Sequence, residues 1–175
     1  MLKRLMAKSP GKQAGERLCA AATRQARDPA FYLRMGTPDT VEGRFELQTL
    51  HVILLIDRLG QTPGPAADIR QALFDAYVTN LDGALREMGV GDLAVGKRMK
   101  KLGQAFYGRA QAYDDAFRAL PDQGPLGELI ARTALLDAPA ADPAPLADYV
   151  RRCRESLGRG DIERLFQGLP QWAEP

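Results

Sequence analysis

The sequence predicts an all-α protein, a single-domain irregular bundle of about six to seven helices. Three observations carry this. Apolar residues recur at steps of three and four along most of the 175 residues. Proline and glycine fall mostly between those periodic segments, where they punctuate. Apolar residues make up 45% of the chain, which suits one packed core and is too many for a disordered polymer.

The first helix is expected over Lys12–Arg27. It is alanine-rich, carries Leu18, Ala21 and Ala22 on one side, and ends at Asp28-Pro29. Residues 1–28 read together as a basic N-terminal arm or helix, ahead of a helical domain over 29–175. Up to residue 27 the arm has Lys3, Arg4, Lys8, Lys12, Arg17, Arg24 and Arg27 against Glu16 alone. Such a composition suits an anionic lipid surface or a mitochondrial presequence, and equally a solvated basic helix. Phe31-Tyr32-Leu33 is a short apolar knot, and Gly36–Asp39 a loop.

The second helix is expected over Thr40–Leu59, with Thr40 as its cap and Glu42 favouring the dipole of the first turn. Phe45, Leu47, Leu50 and Val52–Ile56 make it apolar nearly all round, the mark of a central helix. Three of the five residues 52–56 are β-branched, so a strand competes there; the length of the surrounding segment favours helix. Leu50 and His51 belong to the core on this reading, His51 as a half-buried histidine with one hydrogen bond. The third helix, Asp68–Met88, shows a stripe of Leu73, Phe74, Tyr77, Val78, Leu81, Leu85 and Met88, and Gly89 stops it. The fourth, Val95–Leu120, shows Val95, Met99, Leu102, Phe106, Ala110, Tyr113, Phe117 and Leu120, and Pro121 closes it. Short helices over 126–136, 145–157 and 161–169 follow, with a Pro/Ala linker at 138–145. The expected structural residues are Leu50, His51, Phe74, Leu81, Leu85, Met99, Phe106 and Tyr113.

Catalytic motifs are missing: no P-loop, dinucleotide fingerprint, nucleophile elbow or zinc-protease helix occurs. Cys19, Cys153 and the single His51 are too scattered for a zinc site, and the two cysteines read as free thiols of a reducing compartment. No cofactor or metal is expected. Asp75 and Asp82 share a helix face and with His51 give the best enzymatic alternative, but no second ligand pair faces them. Asp114-Asp115 point about 100° apart, as neighbours on a helix do. No apolar run approaches the ~18 residues of a membrane span, and the N-terminus lacks the apolar stretch of a secretory signal.

The strongest charge feature is Gly96-Lys97-Arg98-Met99-Lys100-Lys101, continued by Arg109, with no acid nearby in sequence. Cations near a helix N-terminus oppose the dipole at a cost of about 0.3–1 kcal/mol, which suggests that a partner uses them. Gly103 and Gly108 each cost the helix about 1 kcal/mol. Close helix packing accounts for Gly103; Gly108, facing away from the stripe, suggests another backbone approaching between Tyr107 and Arg109. The candidate protein-binding set is therefore Lys97, Arg98, Lys100, Lys101, Tyr107, Gly108 and Arg109. A nucleic-acid partner for residues 97–109 is the alternative, with only Gln104 and Gln111 beside the lysines to read bases.

Three blocks resemble a known family. The first is Phe45–Leu59. The second is Gln71–Asp75 with Asp82–Asp92. The third is Val95–Lys101, then Phe106-Tyr107-Gly108-Arg109 and Ala112-Tyr113. Within them the string LREMGVGDLAVGKRMKK is long and specific. Together they resemble the ubiquinol–cytochrome c chaperone family, which assists assembly of the respiratory cytochrome bc1 complex, over about residues 30–120. The resemblance implies a non-enzymatic all-α chaperone. Its client would be newly made cytochrome b or another bc1 subunit, met with a small partner protein near the ribosome or an anionic membrane surface, and not specific DNA. The Ala-, Gly- and Arg-rich composition and short N-terminal region suggest a bacterial member in the cytoplasm, peripheral on the inner face of the inner membrane; the alternative is a mitochondrial one in a eukaryote.

Overall fold

The computed structural model describes residues 9–175 and contains eight helices and no strand among them. Six have eight residues or more: α1 (Pro10–Gln25), α3 (Val41–Gly60), α4 (Ala66–Glu87), α5 (Asp92–Ala119), α6 (Gly124–Ala131) and α7 (Ala144–Arg159). Two are five-residue helices, α2 (Pro29–Leu33) and α8 (Ile162–Phe166). The apolar knot at 31–33 is part of α2. Asp28 caps it by accepting from the Ala30 N–H at 2.9 Å, and Phe31 is buried.

Helix α3 is the axis of the bundle, and α1, α4, α5 and α7 pack around it. Thr40 caps it through the Gly43 N–H at 3.1 Å. Leu47, Leu50 and Val52–Leu55 are all buried, so the β-branched run is helical because neighbours cover every side of it. Thr49 and Tyr77 share a buried 2.7 Å hydrogen bond that ties α3 to α4. Helix α6 lies against α5 and α7, and closes the far side.

Helix α1 is not an arm. Leu18, Cys19 and Ala22 are buried in the common core, so a boundary at residue 28 does not separate it from the domain. Its contact with α4 is unusually close: a Cβ at Gly15 would lie 2.5 Å from the Ala72 carbonyl carbon and the Leu73 nitrogen. The arm cations Lys3, Arg4 and Lys8 lie outside the described residues.

Other expectations change in detail. Helix α5 starts at Asp92, three residues earlier than Val95, because Gly91 takes the cap position and Asp92 supplies a first-turn acid. The run from Lys97 to Lys101 therefore sits beyond the first turn, and the dipole penalty expected for it largely disappears. Phe74 and Met99 are half-buried against the core, and Leu85 is half-buried outside it. Leu81, Phe106 and Tyr113 are buried as expected. A Cβ at Gly103 meets nothing, so close packing does not explain that glycine.

His51 is fully buried and makes two hydrogen bonds where one was expected. Nδ1 lies 2.7 Å from the Leu47 carbonyl and Nε2 lies 2.8 Å from the Tyr149 hydroxyl. The carbonyl only accepts, so Nδ1 carries the proton and the Tyr149 hydroxyl donates to Nε2. Rings of Phe31, Tyr149 and Trp172 surround the imidazole at centroid distances of 5.4, 5.8 and 5.2 Å. The tail is held beside this node. Ala173 N–H donates to Cys153 Sγ at 3.4 Å, Arg152 to the Glu174 carbonyl at 2.8 Å, and Arg34 to the Pro175 carbonyl at 3.1 Å.

Candidate functional site

The first turns of α3, the end of α4, the first half of α5 and the turn at 133–137 enclose a cleft of about 620 Å³. Its apolar wall includes Phe45, Leu81, Leu85 and Leu102. Val41, Met88 and Leu136 also line it and remain 56%, 55% and 63% exposed. Large apolar side chains left this open around one concavity mark a binding surface better than scattered ones do.

Local sequence explains the shape. A Cβ at Gly43 would meet the Pro38 carbonyl oxygen at 2.1 Å, so only glycine lets the loop press against the start of α3. Thr37 is buried in that contact, its hydroxyl without a partner among the described residues. On α4, Leu81, Leu85 and Met88 continue the core stripe past the end of the core, and Gly89, at φ +78, turns the chain into the approach to α5. The core stripe thus becomes the cleft wall.

The rim is charged with both signs. Arg27, Arg44 and Arg98 line it, as do Glu42 and Asp137. Arg44 bonds Asp39 at 2.6 Å, and this pair holds the exposed Asp39 carboxyl below its ordinary range. Glu46, also on the cleft, takes a two-pronged grip from Arg109 at 2.8 and 3.0 Å. That contact raises the Arg109 pKa, despite an opposing contribution from partial burial.

The seven predicted protein-binding residues therefore separate. Arg98 turns toward the cleft. Arg109, expected to lack a nearby acid, is engaged with Glu46 of α3. Lys97, Lys100, Lys101, Tyr107 and Gly108 are exposed away from it. A Cβ at Gly108 meets nothing within 4 Å among the described residues. The enzymatic trio is not assembled: Asp75 is exposed and bonded to Gln71, Asp82 is paired with Arg86, and both His51 nitrogens are engaged. Burial pushes the His51 pKa down to about 4, against a smaller upward pull from its bond to Leu47. Burial likewise raises both thiols, Cys19 to about 11 and Cys153 in the same direction, which leaves them as packing groups. Among the described residues no cluster of three or more His, Cys, Asp or Glu could hold a metal.

Val41, Leu136 and Glu46 were missed as site residues. Val41 and Phe45 stand four residues apart at the start of α3, a visible pair. Leu136 lies in a turn, and nothing in its own segment distinguishes it.

Comparison with known proteins gives two matches. The family model described as ubiquinol–cytochrome C chaperone matches residues 33–172, through the tail where the sequence showed no resemblance. The crystal structure of the Cbp3 homolog from Brucella abortus is similar with a TM-score of 0.84 and 32% identity, covering 99% of this chain and 96% of that one. No curated protein matches the chain.

Proposed function

Because this chain belongs to the ubiquinol–cytochrome c chaperone family, we propose that it is a non-enzymatic assembly factor of the cytochrome bc1 complex and that its client is newly made cytochrome b. The observation that carries the client assignment is the cleft, a mainly apolar concavity flanked by Val41, Met88 and Leu136, with exposed charges at its rim and its one half-buried carboxylate, Glu46, held by Arg109. Cytochrome b is a bundle of apolar helices. A groove with an apolar floor and a polar rim suits one such helix before its neighbours have folded against it. Arg98, from the predicted basic run, stands at that rim. A small partner protein and the ribosome are the further partners this reading entails.

The test has two parts. In a strain lacking the gene, haem b and c difference spectra and a cytochrome b immunoblot should show loss of the bc1 complex with unchanged transcript. Photo-crosslinkers at Met88 and Leu136 should capture cytochrome b, and a crosslinker at Asp161, outside the cleft, should not. An unchanged complex in the deletion strain refutes the assembly role. Crosslinks distributed equally over the three positions refute the cleft.

A further inference from the structure

Helix α5 carries a second surface, on the side away from the cleft. Between Leu93 and Tyr113 there are five cations and no carboxylate. At 100° per residue, Leu93, Lys97, Lys100, Gln104, Tyr107 and Gln111 fall within about 40° of one line, and Lys101 and Gly108 flank it. The line from Leu93 to Tyr107 is about 21 Å long at the helical rise. Its residues are exposed along the whole length. Leu93 is 102% exposed at one end, and Tyr107, 65% exposed, stands near the other with its ring against Phe74 and Phe106. Asp114 and Asp115, both paired with Arg118, end the acid-free stretch. At the opposite end Arg86 holds Asp82 and Asp92.

From this we propose that the outer face of α5 lies flat on a bilayer containing anionic lipid. The apolar stripe of α5 packs on the core, so the attraction here is electrostatic: the clustered lysines meet headgroup phosphates, while Leu93 and Tyr107, the exposed apolar residues near the two ends of this face, reach the interface. Nucleic acid fits less well, because the face has no arginine to form two-pronged phosphate or base contacts. The arginines of α5 point elsewhere: Arg98 to the cleft, Arg109 to Glu46, Arg118 to Asp114. No helix among the described residues is long and apolar enough to cross a membrane, so bilayer contact through them is made from outside. The orientation leaves the cleft, on another side of α5, uncovered. The inference stands apart from the client assignment, since lipid binding is measured with no cytochrome b present.

The test is co-flotation of the full chain with vesicles of phosphatidylcholine alone and of phosphatidylcholine mixed with phosphatidylglycerol. Binding is expected only to the anionic vesicles and should weaken as salt rises. The triple variant K97Q/K100Q/K101Q should partition about a hundredfold less, at about fivefold for each lysine. Leu93→Ser should also weaken binding, whereas Arg132→Gln, an exposed charge on another element, should change it less than Lys100→Gln does. Circular dichroism confirms that each variant is folded. Equal binding to both vesicles, a triple variant that binds like the wild type, or an unaffected Leu93→Ser overturns the proposal. So does an RNA hairpin held by the same lysines more tightly than anionic vesicles are.

Discussion

Two glycine-to-alanine substitutions in helix interiors should have opposite effects on stability. Alanine favours helix over glycine by about 1 kcal/mol wherever nothing else changes. At Gly108 nothing else changes, because the added Cβ meets no atom of the described residues, and Gly108→Ala should stabilise by about that amount. At Gly15 the Cβ arrives 2.5 Å from two backbone atoms of α4 and 2.6 Å from the Ala72 Cβ. Carbon contacts are comfortable at about 3.5–4.0 Å, so α1 and α4 must move apart by about 1 Å. A gap of that size forfeits up to about half of each dispersion contact along the face that buries Leu18, Cys19 and Ala22. Overpacking costs about 1–3 kcal/mol. The obstacle is backbone and cannot rotate away, so the upper value applies. After the helix gain, Gly15→Ala should lose about 2 kcal/mol. The two variants then differ by about 3 kcal/mol, which separates their Tm values by roughly 6–12 °C in a chain of this size. Urea denaturation followed by far-UV circular dichroism measures the difference directly. A Gly15→Ala protein as stable as the wild type, or two variants shifted the same way, would refute the close α1–α4 crossing.

The buried His51 makes a pH prediction. Its pKa is about 4 in the fold against 6.5 for the free side chain, so between those values the unfolded chain binds the extra proton. Stability should be level above about pH 7 and fall as the pH drops from 6.5 toward 4, by about 3 kcal/mol across the window at ~1.4 kcal/mol per unit. Urea midpoints at pH 7.5, 6 and 5 should decline in the wild type and stay nearly level in His51→Phe; parallel declines would reject the assignment. Removing the arginine of the Arg109–Glu46 pair leaves a carboxylate mostly shielded from water, so Arg109→Ala should cost about 2 kcal/mol. Arg109→Ala combined with Glu46→Gln should recover part of it, and a strictly additive double mutant would show that the pair is not coupled.

What was legible in the sequence was local. Thr40 as a cap, Gly89 as a stop and the stripes of α4 and α5 are decided within one or two turns, and each stands close to where the periodicity puts it. The centrality of α3 was legible because a helix apolar on all sides has only one place to go. Contacts between distant segments were not. Arg109 reads as a free cation until the fold brings Glu46 to it from 63 residues away. His51 reads as half-buried until Tyr149 and Trp172 arrive from the tail. Gly15 and Gly108 are indistinguishable in a helical pattern, although one touches backbone and the other touches nothing. The cleft combines both cases: its α4 wall is the visible stripe prolonged past the core, and its far wall at Leu136 depends on how α6 returns.

The clasp on the tail bears on the order in which the protein can be made. Synthesis delivers α1 long before Trp172, yet Trp172 completes the ring of aromatics around His51, and residues 173–175 bond to side chains of α7 and to Arg34 just after α2. A nascent chain arrested before residue 172 would have its central helices made and its buried imidazole open to water. A factor proposed to shelter another protein's unfinished helices would then spend its own emergence with the same exposure.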